Sequence, residues 1–239
     1  MEFKTRISKL EENDINIRGV KLSSLIKTGR FTDAVFLQLS GRSPQEKESK
    51  LFEKILISVI DHGMGVTSSM TSRFIASGGN ELNVAVGGGI LSLGNYHGGA
   101  VEKAMQQFLS WDDNSKIKDM ILEKKTIYGF GHTHYKEGDP RVKILIEEMK
   151  EIGFESKYLH WKEVVENYFQ EVKGKKIYLN IDGLMAMVLC DFGFDPLLGK
   201  GIFIIGRTSG LIAQVHEELK YEKPVRRIKE EDITYLENE

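Results

Sequence analysis

Cysteine, proline and long apolar runs are all scarce in this sequence of 239 residues. Cys190 is the single cysteine, which excludes a disulfide within the chain, and its apolar neighbours predict a buried, unreactive thiol. No apolar run approaches the ~20 residues that a membrane-spanning helix needs, and the segment Met1-Glu2-Phe3-Lys4 lacks the apolar core of a signal peptide. We therefore expect a cytoplasmic protein with no membrane partner.

A surplus of charge of either sign is also missing, because 33 Lys and Arg residues are balanced by 35 Asp and Glu residues. The net charge of −2 excludes a general electrostatic attraction to nucleic acid, so we expect no nucleic-acid partner. Hydrophobic residues make up 41% of the chain, which is enough for the core of one large domain. We predict a single domain over residues 1–239, with a small subdomain over about 115–205 as an alternative division.

The pattern that is present in most of the chain is helical. Apolar residues recur at helical spacing over about 45–61 and again over about 161–173. The small, apolar stretch 81–93 fits either a strand or a buried helix, and its length favours the helix. The sequence therefore predicts a mainly α fold.

Three segments depart from the helical pattern. Short alternating stretches within residues 1–22 predict strands, either in a hairpin or in an arm that pairs with a partner. Residues 177–181 begin like a strand, and an apolar helix is expected to start at Asp182. The segment 222–239 predicts an extended C-terminal arm.

Glycine is abundant, with 24 residues, and several glycines stand beside titratable side chains. A carboxylate at a helix N-terminus is stabilised as the anion, whereas a histidine there tends to stay neutral and to donate a hydrogen bond. A carboxylate base and neutral imidazole donors are what carbon–carbon bond chemistry next to a carbonyl requires. Four segments have this character, in chain order Asp61-His62-Gly63, His97-Gly98-Gly99-Ala100, Gly129-Phe130-Gly131-His132 through Asp139-Pro140-Arg141, and Asn180-Ile181-Asp182-Gly183.

These four segments, in this order, resemble the citrate synthase superfamily. Residues 206–213, with the sequence Gly-Arg-Thr-Ser-Gly-Leu-Ile-Ala, and the segment Arg18-Gly19-Val20 near the N-terminus resemble further motifs of that superfamily. The resemblance covers nearly the whole chain. It implies a citrate synthase-like helical fold in a shortened form.

The resemblance also implies three catalytic roles. His97 is similar to the histidine that stabilises the enol of acetyl-CoA, and His132 to the histidine that polarises the oxaloacetate carbonyl. Asp182 is similar to the base that removes the methyl proton. If the reaction runs backwards, His132 is expected to accept a tertiary hydroxyl proton, and Asp182 is expected to deliver a proton to the methyl carbon.

Substrate and coenzyme contacts follow from the same resemblance. The side chains implied as carboxylate ligands are His62, Arg141 and Arg207. A further arginine from a partner subunit's C-terminal segment is implied, and the sequence leaves Arg226 and Arg227 equally open. The backbone of Gly129, Phe130 and Gly131 is expected to lie along coenzyme A.

The departures from citrate synthases favour a lyase. Gly63 stands where those enzymes generally carry a glutamate, and one helix alone separates residues 41–44 from Asp61. This compact form resembles citryl-CoA lyase and the lyase module of ATP citrate lyase. Cleavage of citryl-CoA to acetyl-CoA and oxaloacetate is therefore the expected activity, with a small citrate or methylcitrate synthase, or a non-enzymatic binding subunit, as alternatives.

Partners and cofactors are expected to match that activity. A coenzyme A thioester serves as substrate or product, and no tightly bound cofactor and no metal are expected. A homodimer or higher homo-oligomer, with an arginine shared across the interface, is predicted. A separate citryl-CoA synthetase is expected to supply citryl-CoA.

Simpler interpretations exist for each residue taken singly. Asp182 fits a helix N-cap, His97 fits a cap beside glycine, and His132-Thr133-His134 resembles half of a metal site without the remaining ligands. His134 is interpreted as a structural or surface residue. The joint occurrence of the motifs in one order favours the functional interpretation.

Overall fold

The computed structural model describes residues 2–237 and begins with a small antiparallel sheet. Its three strands are β1 (Ser8–Leu10), β2 (Ile15–Ile17) and β3 (Val20–Lys21), in that order across the sheet. Ser8 pairs with Ile17, and Asn16 pairs with Lys21. The predicted N-terminal strands are therefore confirmed, and they pair within the chain.

Eleven α-helices occupy most of the described residues, which confirms the mainly α prediction. The glycine-rich stretch that fitted a strand or a helix is helical, as its length favoured. The helices are α1 (Leu22–Thr28), α2 (Phe31–Ser40), α3 (Glu46–Ser58), α4 (Thr67–Ser77), α5 (Leu82–Leu91), α6 (Ala100–Ser110), α7 (Asn114–Leu122), α8 (Pro140–Glu151), α9 (His160–Lys173), α10 (Ile181–Asp191) and α11 (Leu197–Tyr221).

Two local features differ from the sequence-based prediction. Helix α7 was not predicted, although Asp113 is a clear N-cap whose side chain accepts a hydrogen bond from the Ser115 amide at 2.7 Å. The expected strand before α10 is reduced to one isolated bridge between Phe130 and Leu179. That bridge ties the loop after α7 to the start of α10, and both carry residues of the candidate site.

The C-terminal arm leaves α11 at Glu222, which has extended backbone angles. A short 3-10 helix at Glu230–Asp232 interrupts the otherwise irregular arm. The predicted arm included residues 238 and 239, which lie outside the described residues.

The main hydrophobic core is centred on α10, whose side chains from Leu184 to Leu189 are completely buried. The Phe36 ring lies 5.4 Å from that of Phe52 and 5.0 Å from that of Phe194, measured between centroids. Complete burial of each large apolar side chain stabilises the fold by ~1.5–3 kcal/mol. A helix held this firmly gives a fixed position to the polar residues at its N-terminus.

A second, smaller cluster joins α4, α5 and α11. It contains Ala76, Ala85, Val86, Leu211 and Val215, all buried. Helices α4 and α5 approach closely at Gly89, where a β-carbon would lie 3.0 Å from the Ser68 carbonyl oxygen. The main core includes residues from before position 115 as well as from the range 115–205, which was suggested as a small subdomain. The division into a subdomain stays a prediction.

Candidate active site

The side chains that the motifs singled out as catalytic converge on one open pocket of about 260 Å³. They reach it from five parts of the fold: the loop after α3, the loop before α6, the segment 129–141, the first turn of α10, and the middle of α11. The predicted site residues that line the pocket are His62, His97, Gly131, His132, Arg141, Asp182 and Arg207.

His97 stands in the glycine-rich turn that precedes α6. Its Nε2 atom lies 2.8 Å from the Ser68 hydroxyl oxygen on α4, within hydrogen-bond distance. Burial, together with the positive charge of Arg207 and the nearby His62, lowers the pKa of His97 to about 4. The ring is therefore neutral at pH 7 and keeps Nδ1 available for a ligand.

His132 is oriented by the backbone of its own loop. Its Nδ1 atom accepts hydrogen bonds from the amides of His134 at 3.0 Å and Tyr135 at 3.1 Å. Burial lowers the pKa of His132 below its ordinary value. Because Nδ1 is an acceptor in the neutral ring, the proton resides on Nε2.

This hydrogen bonding bears on the role expected for His132 in a cleavage reaction. To accept a hydroxyl proton, Nε2 would need a free lone pair, and Nδ1 would then carry a hydrogen facing two amide donors. The observed geometry instead favours His132 as the donor of a hydrogen bond to a substrate oxygen.

Asp182 occupies the first turn of α10. Asn180 is the N-cap, and its Oδ1 atom accepts from the Gly183 amide at 3.0 Å, so the capping role considered for Asp182 belongs to Asn180. Burial raises the pKa of Asp182 to about 6, against the opposing charges of Arg141 and Arg207. A carboxyl that titrates near pH 6 can serve as an acid or as a base close to neutrality.

Two guanidinium groups supply positive charge to the pocket. Arg141 is held by the buried Asp139, and Arg207 donates from Nε to the Val59 carbonyl oxygen at 2.8 Å. The Arg207 Nη1 atom is buried and has no hydrogen-bond partner among the described residues. A guanidinium with unused donors is suited to bind a carboxylate.

Of the predicted coenzyme segment, only Gly131 lines the pocket. Gly129 packs against α10 so closely that a β-carbon there would lie 2.5 Å from the Gly183 Cα atom, and Phe130 is buried. These two residues hold the loop against the helix. The contact with coenzyme A stays a prediction, and Gly131 is the residue placed to make it.

Neither C-terminal arginine lines this pocket. Arg226 donates to both oxygens of the buried Glu218, at 2.6 and 2.7 Å, and Glu218 also accepts from the buried Arg73 at 2.8 Å. Arg227 is exposed. Arg226 thus holds the beginning of the C-terminal arm against α11, whereas the Arg227 side chain is exposed to solvent.

Three residues that support the site were given no role from the sequence, although Asp139 and Asn180 belong to the motifs quoted above. Ser68 contacts His97, Asp139 holds Arg141, and Asn180 donates from Nδ2 to the Gly131 carbonyl oxygen at 2.7 Å. Asp139 and Asn180 each precede a helix, and that position is a recognisable capping signal. Ser68 lies in a helix 29 positions before His97, and nothing in the sequence marks it.

The remaining titratable residues that the sequence drew attention to lie elsewhere. His134 is exposed, as interpreted, and Cys190 is buried with a pKa raised to about 12 by burial. Across residues 2–237, no helix is long and apolar enough to cross a membrane. In the same range, no group of three or more His, Cys, Asp or Glu side chains is arranged to hold a metal ion.

The sequence matches a family model described as "Citrate synthase, C-terminal domain" over residues 36–228. A citrate synthase from Heyndrickxia coagulans is 33% identical over 189 residues, which are 75% of this chain and 50% of that protein. A citrate/2-methylcitrate synthase from Bacillus subtilis is 30% identical over 81% of this chain and 54% of that protein. The chain therefore spans about half the length of the curated relatives it matches.

Solved structures agree over more of the fold. A citryl-CoA lyase from Hydrogenobacter thermophilus is 40% identical with a TM-score of 0.93, covering 99% of this chain and 95% of that one. A citrate synthase from Thermotoga maritima is 26% identical with a TM-score of 0.70, covering 86% of this chain and 59% of that one. With the matched family model, the helical fold and the convergent histidines and aspartate in agreement, this chain belongs to the citrate synthase family.

Proposed function

We propose that the protein is a citryl-CoA lyase, which cleaves citryl-CoA into acetyl-CoA and oxaloacetate. The observation that carries this proposal is the two-way match to the Hydrogenobacter thermophilus lyase, which leaves little of either chain unmatched. The citrate synthases in the comparison are about twice as long as the part of this chain that they match. The pocket supplies the chemistry that such a cleavage needs.

Substrate binding is assigned to the positive side of the pocket. Arg141 and Arg207 bind carboxylates of the citryl group, and a His62 N–H adds a neutral donor. The lining of the pocket supports this assignment, because Arg141, Arg207 and His62 all contribute to it. The coenzyme A thioester passes over Gly131 as a substrate, and no tightly bound cofactor takes part.

Cleavage breaks the bond between the tertiary carbon and the adjacent methylene carbon. The electron pair of that bond moves onto the thioester and forms an enolate, whose oxygen His97 stabilises with a hydrogen bond. Protonated Asp182 then delivers its proton to the carbon and produces the methyl group of acetyl-CoA. Each group acts on charge that develops during the reaction, which is where preorganised donors have most effect.

The tertiary hydroxyl becomes the carbonyl of oxaloacetate and must lose its proton. His132 donates from Nε2 to this oxygen and stabilises its negative charge. We assign the proton itself to His62, because the ring is neutral, with a pKa lowered by burial and by Arg141, and so has a free lone pair. The two rings lie close together, 5.7 Å apart between centroids.

The test supplies purified protein with synthetic citryl-CoA and measures two products together. Oxaloacetate is followed by coupled reduction to malate, and free coenzyme A is followed with a thiol reagent. A lyase releases oxaloacetate with no matching free thiol. Absence of oxaloacetate release would contradict the proposal.

The second candidate is a small citrate or methylcitrate synthase, which the names of the curated relatives favour. That reaction joins an acyl-CoA to oxaloacetate and hydrolyses the thioester, so it releases free coenzyme A. Acetyl-CoA and propionyl-CoA are supplied separately with oxaloacetate. Free coenzyme A formed faster than citryl-CoA is cleaved would support this candidate over the first.

Association of identical chains is part of the proposal. The three packed helices α4, α5 and α11 expose apolar side chains that include Met70, Phe74, Leu82, Val84, Ile212 and Leu219. A second copy would cover them, and we assign the arginine shared with the neighbouring site to Arg227, because Arg226 is committed to Glu218. A separate citryl-CoA synthetase then supplies the substrate.

A further inference from the structure

Asp139 is a completely buried carboxylate that joins two parts of the active site. It is the N-cap of α8, and its Oδ1 atom accepts from the Arg141 amide at 3.1 Å and from Arg141 Nε at 2.9 Å. Its Oδ2 atom accepts from Arg141 Nη2 at 2.7 Å and from the Ile181 amide at 3.0 Å. Each carboxylate oxygen thus accepts two hydrogen bonds. All four donors belong to Arg141 or Ile181, and both of these residues line the pocket.

The two sides of this contact have different tasks in the proposed reaction. Arg141 binds a substrate carboxylate, while Ile181 is the first residue of α10 and directly precedes the proton donor Asp182. Paired hydrogen bonds between a guanidinium and a carboxylate fix direction as well as distance. One buried side chain therefore sets where the substrate is held relative to where the proton is delivered.

We propose that Asp139 is a positioning residue that locks the Arg141 guanidinium to the first turn of α10, so that substrate anchor and proton donor keep a fixed separation. This inference rests on the proposed function, since it assigns those two roles to Arg141 and Asp182. Asp139 itself touches no substrate. Burial alone would raise the pKa of Asp139, but the hydrogen bonds and charge of Arg141 lower it below its ordinary value and keep the carboxyl ionised.

The substitution Asp139→Asn tests the lock with little change in shape. An amide offers one acceptor oxygen, and its NH2 group would face two N–H donors, so one pair of hydrogen bonds must be lost. Misplacement of a reacting group by about 1 Å can cost about 100-fold in rate, so we expect kcat/KM to fall by about that factor. Both constants should change, with KM rising because Arg141 is released and kcat falling because α10 shifts.

Glu166→Gln is the matched control. Glu166 on α9 also pairs with a cation, Lys162 at 2.8 Å, and accepts a backbone hydrogen bond, from Leu179 at 3.1 Å, but neither of these partners lines the pocket. Its kinetic constants should stay within about twofold of wild type. Equal losses in both variants would mean that Asp139 acts only through general stability, and would overturn the inference.

A double-mutant cycle of Asp139→Asn with Arg141→Lys measures whether the two substitutions affect kcat/KM independently. A role of Asp139 in general stability alone predicts independent effects. Lysine cannot form the paired hydrogen bonds, so Asp139→Asn should cost much less in the Arg141→Lys background than in wild type. Losses that simply multiply would refute the lock.

Binding measurements separate this inference from the proposed function. Calorimetric titration with oxaloacetate should give a dissociation constant raised about tenfold by Asp139→Asn and unchanged by Glu166→Gln, whichever reaction the enzyme catalyses. A wild type that binds oxaloacetate but does not cleave citryl-CoA would refute the proposed function alone. Unchanged binding and unchanged kinetics in Asp139→Asn would refute this inference alone.

Discussion

At the scale of single residues, the pKa values of His97 and Asp182, two of the candidate catalytic groups, are shifted in opposite directions. Burial lowers the pKa of His97 to about 4 and raises that of Asp182 to about 6. Both shifts have one cause, because an environment poor in water disfavours whichever form carries charge. The result is a neutral hydrogen-bond donor beside a carboxyl that changes its protonation near neutrality.

The first prediction concerns the pH dependence set by Asp182. Cleavage needs the protonated carboxyl, so its rate should fall about tenfold per pH unit above the pKa of about 6. Condensation needs the carboxylate, so a synthase should instead gain rate up to a pH of about 6 and level off above it. Rates of citryl-CoA cleavage and of acetyl-CoA condensation with oxaloacetate, each measured from about pH 5 to 8, should therefore change in opposite directions, and profiles flat across pH 6 would contradict the role of Asp182.

Substitution of Asp182 is part of this first prediction. Asp182→Asn should lower kcat by ~10²- to 10⁴-fold, because the proton donor is lost while the shape is kept. Asp195→Asn is the control, since Asp195 likewise stands near the start of a helix but lies outside the pocket, where its side chain accepts a hydrogen bond from the Leu197 amide at 2.8 Å. A similar loss in both variants would show that Asp182 has no special role.

Ser68 carries a second prediction at this scale. Ser68→Ala removes the hydrogen bond to His97 Nε2, so the ring loses its orientation at a cost of about 1 kcal/mol, or roughly fivefold in kcat. Ser72→Ala removes a buried hydroxyl of the same helix that bonds to the Ser69 carbonyl oxygen instead. Steady-state kinetics should show the loss in Ser68→Ala alone.

At the scale of secondary structure elements, a close contact between two backbone segments holds the start of α10 against the loop at Gly129. Gly129 and Gly183 meet without side chains between them, and the Asn180 amide donates to the Gly129 carbonyl oxygen at 2.9 Å. The loop that presents His132 is thereby fixed to the helix that presents Asp182. This contact requires glycine at position 183, whereas Gly129 also has a φ of +84°, which favours glycine by itself.

A third prediction follows from this contact. In Gly183→Ala, the new β-carbon would lie 2.3 Å from the Gly129 carbonyl oxygen, so the loop or the helix must move, at a cost of ~1–3 kcal/mol in the free energy of unfolding. Gly201→Ala is the control, because its β-carbon meets nothing within 4 Å in α11 and should stabilise by ~0.4–1 kcal/mol. Urea unfolding curves measure both, and equal midpoints would contradict the account.

The exposed apolar surface of α4, α5 and α11 raises the question of assembly at the scale of the whole molecule. Phe74 on α4 and Leu219 on α11 are each 47% exposed, although both helices pack well on their inner sides. Apolar surface of this kind is commonly covered by a partner. The proposal of a homo-oligomer rests on this surface.

The fourth prediction tests that assembly directly. Sedimentation equilibrium should give a mass at least twice the 27.1 kDa of one chain, and Phe74→Glu should shift the mass towards that of the single chain. Ile144→Glu is the control, because Ile144 is an exposed apolar residue on α8, away from those three helices. A wild type that is fully active as a monomer would contradict the prediction.

The sequence by itself determined the secondary structure class, and it singled out the groups that we propose to react. Helical periodicity is a local property, so α3 and α9 were predicted within a few residues, whereas α7 was missed because it is short. The grouping of His97, His132 and Asp182 in one pocket was predicted because each lies in a motif, and the order of these motifs along the chain resembles that of the citrate synthase superfamily. Their burial and pKa values were not, since these depend on residues distant in the chain.

Only the tertiary structure decided which residues support the site and how. Asp139 bonds to Ile181, 42 positions later, and Ser68 to His97, 29 positions later, and no local pattern encodes such contacts. The proposal of Arg227 over Arg226 also rests on the fold, because Arg226 is paired with Glu218. Local sequence sets which group can react, but the protonation and orientation of that group are set by neighbours that only folding brings together.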